Sequence, residues 1–332
     1  MNTARLRSFT RQNPYLFALI LMVVALIVNY LLQPNLFTLR VLNGNLRVFL
    51  PLMILAVGQT IVILSGGIDI SIGAIVSIVN AILVTQLDAE SSAGQVVLVI
   101  LLAVAAGAAA GALNGFFTAY LRLQPIITTY ATGFLFGGVA LFILPQPGGS
   151  IPTEISRFYR LTTPLNIPLA LYVIAFILIL WQYIRGLRYG RYLYAVGGQA
   201  DAAFASAVPV VWMRFSAYVL AGVMAAFAGL ALTLNTGAGD PRIGNAMTLD
   251  SITAVVLGGT GLSGGAGGVA GSIIGVAILG LIRNIISFAN VPSWWRTLID
   301  ALIIVFALAT PGIINLIRRN RYERRPAEAP NI

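Results

Sequence analysis

The chain of 332 residues contains no cysteine and no histidine, and all 20 of its Lys+Arg residues are arginine, because lysine is absent throughout. Charged residues make up only 9% of the chain, against about a quarter in ordinary soluble domains. Each absence removes a class of chemistry. Without Cys there are no disulfides or thiol nucleophiles, and without His the usual general bases and zinc sites are missing, so no metal and no cofactor is expected. Without Lys a phosphate loop of the form GxxxxGK[ST] cannot be written, since its Lys must reach the nucleotide phosphates. The missing Cys does not identify a compartment.

What the chain has is apolar residues, 58% of the total, with a mean hydropathy of +0.91. A bilayer core about 30 Å thick takes roughly 20 apolar residues per helical crossing. Ten such runs can be traced, at about residues 15–32, 46–64, 70–87, 95–121, 126–144, 166–184, 215–234, 251–262, 266–288 and 295–317. The first exceeds the apolar core of a cleaved signal and lacks a small-residue cleavage site after it, so a retained helix is expected. The expected fold is an all-α integral membrane protein, a single transmembrane domain over residues 1–332, with about 10 transmembrane helices. A soluble ATPase domain does not fit in the remaining loops.

The net charge of +10 reports orientation here, not a nucleic-acid partner, because the arginines flank apolar spans. With both termini cytoplasmic, 13 Arg fall on the inner face and six (Arg40, Arg47, Arg157, Arg160, Arg242 and Arg296) on the outer one. The inner set occupies the cytoplasmic tails, residues 1–14 and 318–332, a long loop at residues 185–214, and Arg122. If one short span such as 251–262 fails to cross, half of the topology inverts.

The tetrapeptide LSGG occurs at residues 64–67 and again at 262–265. In an ATPase of the ABC class the same letters form a nucleotide-contacting signature, a reading that the missing lysine removes. Paired glycines cost roughly 1 kcal/mol each in a helix, so these stretches are expected to break helices near residues 64–71 and 258–268. Irregular backbone at membrane depth needs shelter in protein or along a water-filled path. Asp69 and Ser71 directly precede a new apolar run, where an Asp caps the helix and, as the alternative, also lines a solute path. The two LSGG stretches hint at an internal repeat. Glycines four apart, Gly107, Gly111 and Gly115, and Gly267, Gly271 and Gly275, predict close helix packing. Arg283 and Asp300 lie at similar depth on either side of a turn near residue 290, and a structural ion pair between them is expected. Within the long loop, "GGQADAAFASAVP" reads as a short helix stopped by Pro209 and suited to docking a soluble partner.

Four stretches carry a resemblance: "LAVGQTIVILSGGIDISIG", "LNGFFTAYLRLQPIITT", "GRYLYAVGGQADAAFAS" and "LDSITAVVLGGTGLSGGAGGVAGSIIG". In order and spacing they resemble the permease subunits of ribose-, xylose- and galactofuranose-type ABC sugar importers, over nearly the whole chain. In the docking stretch the family commonly has N-x-x-A-A-x-x-S-G, whereas Gln199 and Ala207 stand here in place of the Asn and the Gly. The resemblance implies a homo- or heterodimer with a second permease subunit, ABC ATPase subunits, and an extracytoplasmic sugar-binding protein, in the cell inner membrane. It implies a solute path past Gln59, Ser65, Asp69, Asn114 and Thr129, and an ATPase-coupling helix at Gly197, Gly198, Gln199, Ala202, Ala203 and Ser206. The expected function is the non-enzymatic translocation subunit of an ATP-driven importer of a monosaccharide or related polyol. The alternative is an ATP-independent carrier or facilitator, with Asp69 or Asp300 as its coupling acid.

Overall fold

An unpaired backbone amide or carbonyl in lipid costs several kcal/mol, so apolar runs close their hydrogen bonds locally, and the described chain is helical. The computed structural model describes residues 16–289 and, beyond them, Trp295, Leu298, Ala301, Leu302 and Val305. Its helices are α1 (Leu16–Leu32), α2 (Leu39–Leu64), α3 (Ile72–Gln86), α4 (Ala93–Gly115), α5 (Pro125–Ile143), α6 (Thr153–Leu161), α7 (Leu169–Gly186), α8 (Arg188–Gly198), α9 (Ala200–Ala205), α10 (Val210–Thr236), α11 (Asn245–Leu257) and α12 (Val269–Phe288). A π-helical turn, Phe116–Tyr120, continues α4. Among the described residues there is no strand, only an isolated bridge between Gly148 and Gly239.

Among the described residues, six helices are long and apolar enough to cross a membrane: α2, α4 with its π turn, α5, α7, α10 and α12. The apolar helices α1, α3 and α11 are shorter. At 1.5 Å per residue, α3 and α11 measure about 22 and 20 Å, less than a bilayer core. Both are short because a helix break bounds them, after α2 in one case and before α12 in the other. The tenth expected span, residues 295–317, falls almost wholly outside the described residues.

Two helices form the centre. Residues 50–64 of α2 are buried without exception, as are residues 72–84 of α3, and α10 packs against both and against α4. The first glycine stripe makes that last contact. A Cβ on Gly107 would lie 2.6 Å from the Gly222 carbonyl oxygen, and one on Gly115 would lie 2.8 Å from that of Phe215. Close backbone approach of this kind drives helix association where lipid supplies no hydrophobic force. The second stripe does the same for α11 and α12, where Gly271 faces Gly258 and Gly275 faces Ala254. Outward-facing side chains on α4, α5 and α7, such as Leu101, Phe134, Phe142 (87% exposed) and Ile179, leave an apolar jacket suited to acyl chains.

One loop helix is tied in by a specific defect. Pro51 lies inside α2 and has no amide to offer the carbonyl four residues earlier. That carbonyl, of Arg47, instead accepts the Tyr159 hydroxyl of α6 at 3.0 Å. Burial pushes the Tyr159 phenol well up, with the Arg47 charge pulling weakly the other way, so it stays a donor.

Candidate functional site

Both helix breaks end the preceding helix by the same local chemistry. After Leu64, Ser65 stays right-handed and Gly66 turns left-handed (φ 86°), and the Gly66 and Gly67 amides donate back to the Ile63 and Val62 carbonyls at 2.9 and 3.0 Å. After Leu257, Gly258 and Gly259 (φ 86°) repeat this, with the Gly259 and Thr260 amides donating to Val256 and Val255 at 2.9 and 3.1 Å. Glycine is needed at Gly66 and Gly259 because L side chains rarely adopt positive φ. The match runs back one turn: Thr60 and Thr253 each donate their hydroxyl to the carbonyl four residues earlier. The structural counterpart of the first LSGG is therefore residues 257–260, LGGT. The second LSGG lies five residues further on and does something else.

It packs on the first. The Gly265 amide donates to the Leu64 carbonyl at 3.2 Å, an acceptor that the end of α2 would otherwise leave unpaired. Gly264 (φ 87°) and Gly66 approach so closely that a Cβ on Gly264 would lie 3.0 Å from the Gly66 Cα. The end of α8 is wedged into the same place. A Cβ on Gly197 would collide with the Leu64 carbonyl oxygen and lie 2.7 Å from the Gly265 nitrogen. One turn earlier the Tyr194 hydroxyl donates to the Gly267 carbonyl at 2.8 Å. Burial raises the Tyr194 phenol above its ordinary pKa, against a lowering by the nearby Arg185 charge, which keeps it a neutral donor. Leu193 and Val196 of α8 are buried. Two helix breaks and one loop helix thus share a hub made of backbone.

The docking stretch is two helices rather than one. Gly197 and Gly198 end α8, Gln199 is extended (φ −158°), and α9 carries Ala202 and Ala203. Ala203 is buried, so a charged residue there would strike the fold, whereas the unpredicted Phe204 is 75% exposed. Ser206 follows α9, its hydroxyl donating to the Ala202 carbonyl at 3.0 Å. Ala207 is left-handed at φ 61°, the conformation for which the resembling family supplies Gly.

The five expected solute-path residues divide into three places. Asp69, Asn114 and Thr129 come together in a buried network just past the first break. Ser71 occupies the N-cap position of α3 without capping it by its own side chain. The Asp69 carboxylate does that work, accepting the Ser71 amide and hydroxyl at 2.9 and 2.7 Å. Asn114 on α4 donates to the Ser71 hydroxyl at 2.7 Å and, at 3.4 Å, to Asp69, and accepts the Thr132 hydroxyl of α5 at 2.6 Å. Thr129 accepts the Ile70 amide at 3.0 Å. Thr132 was not anticipated, although its place three residues after Thr129, on the same helical face, was a usable signal. Ser65 donates to Val62 and lines a cavity of about 480 Å³ together with Arg122, Asp201, Phe204, Arg214 and Tyr218, which joins the first break to α9. Gln59 is fully buried, and neither end of its amide has a hydrogen-bond partner among the described residues.

Arg283 forms an ion pair with Asp250 of α11 at 2.7 Å. Its expected partner Asp300 lies outside the described residues. Among the described residues, no group of three His, Cys, Asp or Glu side chains is placed to hold a metal ion.

Long apolar helices, outward-facing apolar side chains and sheltered helix breaks define a multi-pass membrane protein of the transporter kind. The chain belongs to the family described as "Branched-chain amino acid transport system / permease component", whose model matches residues 41–308. Several of its relatives are import permeases. It is 31% identical over 296 residues to the ribose import permease protein of Escherichia coli (strain K12), covering 88% of this chain and 91% of that protein. It is 34% identical over 302 residues to that of Bacillus subtilis (strain 168), covering 89% and 90%. To the autoinducer 2 import system permease protein of Photorhabdus temperata it is 28% identical over 308 residues, covering 90% and 91%. No solved structure matches the chain.

Proposed function

We propose that this chain is the translocation subunit of an ATP-driven importer carrying a monosaccharide or related polyol across the cell inner membrane by alternating access. In this reading the chain has ten spans with both termini cytoplasmic, pairs with a second permease subunit, and itself hydrolyses nothing. ABC ATPase subunits dock below, and an extracytoplasmic sugar-binding protein delivers the solute above. The ribose import permeases among its relatives support the substrate class.

The observation that carries the mechanism is the wedge of Gly197 between the two helix breaks. A push on the α8–α9 loop by an ATPase has no side chain to deform there and passes directly to the Leu64 and Gly265 backbones. Movement of the first break would disturb the Asp69, Ser71 and Asn114 network. Its hydroxyl, amide and carboxylate groups match the hydrogen-bonding needs of a sugar. Gln59, with an unpaired amide in a buried place, is assigned to the same path.

Reconstitution in liposomes tests this. With ATPase and binding protein present, ATP should drive uptake of a labelled sugar, and Phe204→Asp should abolish uptake and permease-stimulated ATP hydrolysis while the protein still purifies as a folded species. Flux by the permease alone, at the rate of the full assembly, would instead establish the ATP-independent carrier.

A further inference from the structure

Arg40 and Arg47 of α2 and Arg160 of α6 line one pocket of about 620 Å³, together with Leu39, Asn43 and Leu161. No Asp or Glu lines it, and among the described residues none of the three arginines has an ion-pair partner. The Nε of Arg47 is buried without a hydrogen-bond partner among those residues, while one of its terminal nitrogens reaches only the Arg160 carbonyl, at 3.5 Å. A buried guanidinium nitrogen without an acceptor is costly, and guanidinium forks suit phosphate oxygens. The pocket walls are fixed: the Asn43 amide donates to the Arg160 carbonyl at 2.9 Å and Tyr159 holds the Arg47 carbonyl.

We infer that this pocket binds the phosphodiester headgroup of an anionic phospholipid. The rim decides for a lipid. Leu39 and Leu161 line the pocket and are themselves exposed, and Phe158, one turn before Leu161 on α6, is exposed as well, so apolar surface for an acyl chain adjoins the cationic floor. An acidic loop of a soluble protein would bring polar backbone against that surface instead. In the proposed orientation the pocket opens at the extracytoplasmic interface, but lipid binding itself depends on no part of the importer reading.

The full-length protein in detergent is titrated with phosphatidylglycerol, with phosphatidylcholine of the same acyl chains, and with inorganic phosphate, following thermal unfolding and the lipid retained in native mass spectrometry. Phosphatidylglycerol should raise the melting temperature more than phosphatidylcholine and be retained preferentially. The double variant Arg47→Gln/Arg160→Gln should retain at least about tenfold less. Arg40→Gln, which removes an exposed side chain with no hydrogen bond among the described residues, should lower retention about fivefold without loss of fold. Arg157→Gln, on α6 with Arg160 but outside the pocket, should behave as wild type. Equal effects of the two lipids, or unchanged retention in Arg40→Gln and the double variant, would overturn the inference. Stabilisation by inorganic phosphate equal to that by phosphatidylglycerol would assign the pocket to a free anion. Unchanged lipid retention in Arg40→Gln with loss of binding-protein-dependent uptake would assign it to protein docking.

Discussion

The Gly265 amide donates to the Leu64 carbonyl across 3.2 Å, so the loop that follows one helix break completes the hydrogen bonding of the other. Any side chain entering this contact must displace backbone. Gly197→Ala should destabilise the protein by about 1–3 kcal/mol through overpacking and cut coupled uptake more than its fold. Gly198→Ala, one residue away, has nothing within 4 Å of the new Cβ and should be tolerated. Thermal melts and uptake assays on the pair check this; equal loss in both would show that the hub is not the sensitive element.

Ala207 holds a left-handed conformation at φ 61°. For an L residue other than Gly that costs about 1–2 kcal/mol. Ala207→Gly should therefore stabilise the end of α9, where the Val208 amide donates to the Ala203 carbonyl at 3.0 Å. Slower hydrogen exchange at the Ala207 and Val208 amides is the expected readout.

Tyr159→Phe leaves the Arg47 carbonyl without its donor, at a cost of about 1–3 kcal/mol. Pro51→Ala restores an amide that can reach the same carbonyl. The double variant should therefore be less destabilised than the sum of the two single ones, and a double-mutant cycle on melting temperature measures the difference.

At the first break, Asp69→Ala strips the acceptor from the Ser71 amide and hydroxyl and weakens the hold on Asn114. Each buried donor left unpaired costs about 1–3 kcal/mol. Asp69→Asn, which keeps one acceptor oxygen, should lie between wild type and Asp69→Ala in thermal stability. If the two variants melt together, the carboxylate is not the cap of α3.

Arg283→Gln combined with Asp250→Asn should show a coupling energy of about 1–3 kcal/mol, because the pair is largely withdrawn from solvent. The same cycle with Asp300→Asn measures whether Asp300 shares the guanidinium, as their matching depth in sequence predicts.

Much of the architecture was legible in the letters because lipid enforces local solutions. Apolar length marked the helices, and the GG pairs at 66–67 and 258–259 marked two places where they stop, although Gly137 and Gly138 lie inside α5. The short helix before Pro209 was also legible, though its partner α8 was not, since "GRYLYAV" mixes polar and apolar residues and its contacts with Leu64, Gly265 and Gly267 lie far away in the chain. The inward turn of Ala203 and outward turn of Phe204 depend on how α9 sits against α10, which a six-residue stretch does not encode.

Composition alone determined that this chain is rich enough in apolar residues for a helical membrane protein and carries no P-loop lysine, thiol or imidazole, because residue types that are absent cannot act. Only the tertiary structure decided that LGGT, not the second LSGG, repeats the first break, and that the second LSGG lies against the first. It also decided that Arg283 reaches back to Asp250. Hydrogen bonds between distant main-chain atoms leave no trace in residue identity except a demand for glycine, and a glycine does not say which backbone it was kept small to meet.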